Sequence, residues 1–228
     1  MRNFIRPMAA TVLLAAACTA FGAGGGSMPS TGTMRSTPTL SPQEQAEVFY
    51  NDGVTLVEKA DALSADAAHQ DDPKKQQKLE GKTKNAYTGA LKKFIRATGL
   101  NPSMHEAWNY VGYTNRKLGN YQAALDAYDR ALKLKPGYAE AIEYRGHAYL
   151  GLNRLSEAKE AYLTLFSSNR KLAAQLLTGM QAWVGEHRGN TAGVDGASLE
   201  AFAAWVNERS AIAAQTASLT REGASARW

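Results

Sequence analysis

Apolar and small residues in the middle of the chain recur with the spacing of two antiparallel helices. Between residues 106 and 118, Ala107, Trp108, Val111, Gly112 and Leu118 fall on one stripe, while Glu106, Asn109, Arg116 and Lys117 lie away from it. This pattern predicts an amphipathic helix. Gly119-Asn120 predicts a turn, Ala124 and Tyr128 give the apolar side of a second helix, and Pro136 stops it. The next stretch repeats the first. Trp108, Gly112, Leu118, Ala124 and Tyr128 are followed, at a constant offset of 34, by Ile142, Gly146, Leu152, Ala158 and Tyr162. Glycine inside a helix costs roughly 1 kcal/mol relative to alanine, so Gly112 and Gly146 predict close approach of a neighbouring helix.

An earlier unit shares the register. Tyr87, Ala90, Phe94, Ala97 and Pro102 precede Tyr121, Ala124, Tyr128, Ala131 and Pro136 by the same 34 residues. Its first helix opens on Ser41-Pro42-Gln43-Glu44, read as a capping box, and is expected to end near Leu63, with Phe49, Gly53 and Leu56 in register. Gly53 and Ala90 are 37 residues apart where Gly112 and Ala124 are 12 apart, which places a lysine-rich insert at 64–84. Asp72 and Pro73 are suited to start a helix there. The insert is either a solvated helical extension or a basic patch for anionic lipid headgroups or an acidic partner. Ser103-Met104-His105-Glu106 reads as a second capping box. The third unit lacks its closing proline, and Asn169 and Arg170 stand near that place. Beyond it Leu172, Leu176, Leu177, Met180, Trp183 and Val184 predict a helix ending near Gly185. Val194, Asp195 and Leu199 read as a hydrophobic staple around an Asp cap, and Leu199, Phe202, Val206 and Ile212 predict a last helix. Trp183 and Trp205 read as core.

A period of about 34 residues with W-x2-L-G, A-x3-F and P spacing resembles the tetratricopeptide repeat. The resemblance implies an all-α fold: antiparallel helical hairpins stacked as a short right-handed superhelix with a two-helix C-terminal cap. The expected organisation is a signal peptide at 1–22, a flexible linker at 23–40 and three repeats over 41–168, divided as 41–102, 103–138 and 139–168. Capping helices follow at 169–217 and a frayed tail at 218–228. The resemblance also implies that the first helices line a concave peptide-binding face. On the family register the groove positions are Tyr50, Val54, Glu106, Asn109, Tyr113, Arg116, Glu140, Glu143, Tyr144 and His147. Asn109 and Tyr113 stand where a carboxylate clamp needs Lys and Asn, and Glu140 and Glu143 lie near, so no clamp is expected. This aromatic and acidic lining suits a segment with apolar and basic side chains.

Composition narrows the class. The 228 residues are 44% hydrophobic, enough for a core, and carry a formal charge of +5. Arg2 and Arg6 sit ahead of the apolar run Met8 to Ala17, as in a secretory signal, and without them the excess falls to about +3. Two processing readings are open. Small residues before Gly22 suit a conventional signal peptidase, whereas Leu14-Ala15-Ala16-Ala17-Cys18 resembles a lipobox in which Cys18 is lipidated. Either fate consumes the only cysteine. His69, His105, His147 and His187 are far apart in sequence and match no metal or catalytic motif, and His147 carries no legible carboxylate or nucleophile partner. No cofactor, metal site or nucleic-acid signature is expected. The expected function is a non-catalytic adaptor or assembly factor of the bacterial envelope, periplasmic, secreted or outer-membrane-anchored, that binds a protein or peptide. The alternatives are an outer-membrane lipoprotein organising cell-wall or pilus machinery, and an enzyme whose site the sequence hides.

Overall fold

The computed structural model describes residues 40–189 and 193–225, with side chains to 216. The segments read as signal peptide and linker, Cys18 included, lie outside the described residues apart from Leu40. Every element among the described residues is an α-helix: α1 Pro42–Ala68, α2 Pro73–Leu100, α3 His105–Lys117, α4 Tyr121–Leu134, α5 Ala139–Gly151, α6 Leu155–Ser168, α7 Arg170–Arg188 and α8 Gly196–Ser225.

The helices pair as hairpins α1–α2, α3–α4 and α5–α6, and each hairpin packs on the next through α2–α3 and α4–α5. Small residues set this spacing. A Cβ on Gly53 would stand 2.6 Å from a ring carbon of Phe94, and one on Gly112 would stand 2.4 Å from a ring carbon of Tyr128. In each case the first helix of a hairpin lies against the aromatic ring of its own second helix. The third unit differs, because the Gly146 position meets Leu176 of α7 at 2.6 Å. The turns repeat as well: Gly119 and Asn153, one period apart, both take positive φ, of 81° and 56°. The left-handed residue after α3 and after α5 reverses the chain, and only Gly, or less readily Asn, adopts it at low cost.

The C-terminal pair stacks on the end of the array. α7 packs on α5 and α6, and α8 packs on α7. Trp183 is buried edge-on to Phe202 at 5.3 Å, and the half-buried Trp205 meets Tyr162 of α6 at 5.4 Å. Asn169 explains the missing proline: it ends α6 and its side chain accepts the Leu172 N–H at 3.2 Å, so one residue both stops one helix and caps the next. Asp195 accepts the Ser198 N–H at 2.9 Å at the start of α8.

Several boundaries depart from the sequence expectations. The insert lengthens both helices of the first hairpin, so α1 runs to Ala68 rather than Leu63. Asp72 caps α2 by accepting from the Lys74 and Lys75 N–H groups. These helices have 27 and 28 residues against 13 and 14 in the next hairpin, so their tips overhang it. Gly185 does not end α7, because nothing crowds that site and Trp183 stacks on His187 at 3.9 Å across it. α8 continues past residue 217 to Ser225, beyond the expected start of the frayed tail. Ser103 forms no capping box: its hydroxyl donates to Asn101 Oδ1 at 2.7 Å, and Met104 takes the N-cap position without a side-chain bond.

Candidate functional site: an aromatic and polar row along α1, α3 and α5

The first helices of the hairpins place three clusters along one row. The cluster between the overhanging hairpin and α3 centres on Asp61. Tyr87 of α2 donates its hydroxyl to Asp61, Tyr113 of α3 lies 2.9 Å from both carboxylate oxygens, and Lys117 Nζ is 3.6 Å away. Burial pushes both phenols above their usual range, and Asp61 adds to it. The Lys117 ammonium is pulled below its usual value by burial, a shift that Asp61 opposes. A cavity of about 470 Å³ opens beside this network, walled by Ser64 and Ala67 of α1, Gln76, Thr83 and Lys84 of α2, and Leu118.

The middle cluster bridges α3 and α5. The Arg116 guanidinium lies 5.3 Å from the Tyr113 ring centroid and 5.5 Å from that of Tyr144, and the two rings are 5.1 Å apart. Cations over aromatic faces are stabilised by the ring quadrupole. Below them Glu143 accepts from or faces His147 Nε2 at 2.9 Å. His147 therefore has a carboxylate partner, contrary to the sequence reading. Its other side is closed by α7, where a Cβ on Gly179 would lie 2.2 Å from the imidazole.

The third cluster lies at the N-terminal ends of α3 and α5. Tyr50 packs edge-on to Tyr110 at 5.6 Å, Tyr110 stacks on Phe94 at 4.9 Å, and His105 meets Tyr138 at 4.9 Å. The Tyr50 phenol is pushed up by burial first and then by Tyr110, Tyr138 and Glu106, which surround it. Asn109 lies among these groups, and its Oδ1 is buried without a hydrogen-bond partner.

The groove positions read from the sequence divide in two. Val54, Asn109, Tyr113 and Glu143 are only 5%, 2%, 9% and 4% exposed and belong to the packing between hairpins. Tyr50, Glu106, Arg116, Glu140, Tyr144 and His147 remain half-buried. Asp61, Tyr87, Lys117, Tyr110 and Tyr138 join the row although the sequence reading did not place them in the groove. Among the described residues no group of three His, Cys, Asp or Glu side chains gathers to hold a metal, and no helix is long and apolar enough to cross a membrane. The row offers rings, acceptors and fixed charges that suit binding.

Two tetratricopeptide repeat family models match the chain, over residues 84–139 and 116–180. No curated protein matches it. Among solved structures, the first tetratricopeptide domain of Spaghetti (RPAP3) bound to the HSP90 peptide SRMEEVD is 17% identical. The match covers 62% of this chain and 95% of that one, with a TM-score of 0.47. A MamA RS-1 ArsTM double mutant is 20% identical over 72% of this chain and 94% of that one, with a TM-score of 0.37. The family matches fall on the hairpins whose glycines, turns and aromatic partners recur every 34 residues. Residues 84–180 thus match tetratricopeptide repeats, a family whose domains generally mediate protein–protein interactions.

Proposed function

We propose that the row along α1, α3 and α5 receives an extended segment of a partner protein, and that the chain works as a non-catalytic adaptor or assembly factor of the bacterial envelope. The observation that carries this reading is the half-buried set Tyr50, Tyr138, Glu106 and Glu140 at the N-terminal ends of α3 and α5. These side chains supply aromatic faces and negative charge, which favour basic and apolar side chains. The cations of a carboxylate clamp are absent from Asn109 and Tyr113, so a C-terminal carboxylate is disfavoured. An envelope location rests on the signal-like residues 1–22, and anchoring in the outer membrane, with a role in organising cell-wall or pilus machinery, rests on Cys18.

Photo-crosslinking in cells tests the docking. A benzophenone amino acid at Glu140 or Tyr50 is expected to capture a discrete partner band that the same probe at Ser156, on the opposite side of its hairpin, does not. Capture of the same band from Ser156, or no band from either groove position, overturns the reading. Metabolic labelling with palmitate, lost in Cys18→Ala, separates an anchored protein from a soluble one.

A further inference from the structure

The overhanging hairpin segregates charge in a way the other hairpins do not. α1 carries Glu44, Glu47, Asp52, Glu58, Asp61 and Asp66 against Lys59 alone, whereas the sole acid of α2 is Glu80. On α2, Lys74, Lys75, Lys78, Lys82, Lys92, Lys93 and Arg96 fall within an arc of about 100° and extend for about 33 Å along the helix. Glu80 lies on the other side. Asn85 and Gly89 fill the gap between Lys82 and Lys92, so no acid of α2 interrupts the stripe. Asp72 holds Lys75 at 3.8 Å and Asp52 holds Lys93 at 2.7 Å, while Lys74, Lys78, Lys82, Lys92 and Arg96 are exposed and make no ion pair among the described residues. The corresponding helix α4 mixes Asp126 and Asp129 with Arg130 and Lys133. Tyr87 and Phe94 occupy the opposite face of α2, toward α3, so the stripe points away from the row proposed to bind a partner.

We infer that the lysine stripe of α2 is a docking surface for an anionic phospholipid bilayer. A ridge of cations in two groups, on either side of Asn85 and Gly89, matches an extended negative surface, and each lysine near such a surface adds to the attraction. The chemistry disfavours other acidic partners. Lysine is depleted at protein–protein interfaces. Planar, bidentate recognition of nucleic-acid phosphates and bases uses arginine, of which the stripe has one. Phe49, beside the stripe, is already engaged by Lys93 at 5.3 Å and Arg96 at 5.5 Å. A polybasic surface is also the kind of second signal that turns a single acyl chain into a stable anchor. Docked in this way, the protein would lie along the membrane with its groove still open.

Flotation of the full chain with vesicles tests this. Vesicles with about one-third phosphatidylglycerol are expected to bind at least tenfold more protein than pure phosphatidylcholine vesicles, with the difference lost in high salt. The combined variant K78Q/K82Q/K92Q/R96Q removes only exposed charges outside the ion pairs of α2 and should keep its helical circular dichroism while losing at least tenfold in binding. R130Q/K133Q on α4 should bind as the parent does. Any contribution from residues 1–39 is common to all variants, so the differences report α2. Equal binding by the α2 variant, equal binding to neutral vesicles, or tighter binding to duplex DNA than to anionic vesicles overturns the inference.

Discussion

Tyr113 Oη stands 2.9 Å from each carboxylate oxygen of Asp61, a contact that spans 52 residues and ties the second hairpin to the first. Tyr87 donates to the same carboxylate, so one acid accepts two phenols from two helices. The Lys117 ion pair is partly exposed and adds little. Removing the acceptor deprives both phenols of their shared partner beside a cavity walled by Gln76, Thr83 and Lys84. Asp61→Ala is expected to cost about 2–4 kcal/mol in urea denaturation, and Tyr113→Phe about 1 kcal/mol. Tyr87→Phe and Tyr113→Phe together should depart from additivity, because each reshapes the bond the other makes.

The repeat glycines make a prediction that opposes helix propensity. Alanine is better than glycine in a helix by about 1 kcal/mol, and Gly81→Ala, with nothing within 4 Å of its new Cβ, should gain up to that amount. Gly112→Ala drives its methyl into the Tyr128 ring, and Gly146→Ala drives its methyl into Leu176. Both are expected to lose about 1–3 kcal/mol as overpacked sites, read as lower urea midpoints at unchanged slope.

The same two kinds of contact account for what was legible in the sequence. Gly112 meets Tyr128 within one hairpin, so its partner lies at a fixed short distance along the chain and repeats every 34 residues. The helices and their order follow from such local pairs. Asp61 bonds to Tyr113 across hairpins, from a position that the repeat pattern leaves free, so nothing local marks it. Asn109 and Glu143 enter the groove list through the family register alone. Neighbouring helices bury them, an effect no single-helix pattern contains. The Glu143 to His147 spacing of four residues is a signal that could have found their contact. Ser103 failed as a cap because Asn101, two residues earlier, captures its hydroxyl.

Alkaline pH should loosen the row. Burial, with Glu58 and Asp61 adding, pushes the Tyr110 phenol from 10.0 to about 12. Between those values the unfolded tyrosine has lost its proton and the folded one keeps it, so stability present below pH 10 falls as pH rises, by about 1.4 kcal/mol per pH unit for this residue. Tyr87 and Tyr113 are raised further and act in the same sense. Lys117, lowered by burial, acts in the opposite sense just below its unfolded value of 10.5. Urea midpoints across pH 9 to 12 are expected to drop beyond about pH 10 in the parent and less steeply in Tyr110→Phe. Parallel slopes for the two proteins would remove Tyr110 from this account.

The C-terminal pair should behave as part of the array and not as an appendage. Trp183 is buried on Phe202, and Leu176 fills the space left by Gly146, so α7 completes the apolar face of α5 and α6. Trp183→Ala opens a cavity in that shared core and is expected to cost about 3–5 kcal/mol, whereas the half-buried Trp205 should cost about half as much on the same change. Because the loss falls on a cluster that also holds Ile142, Leu150 and Leu165, the whole repeat array should shift with it. Urea unfolding followed by circular dichroism, and separately by hydrogen exchange of amides in α5 and α6, is expected to report the same lowered midpoint. An early transition confined to α7 and α8, with α5 and α6 still protected, would show that the pair unfolds on its own.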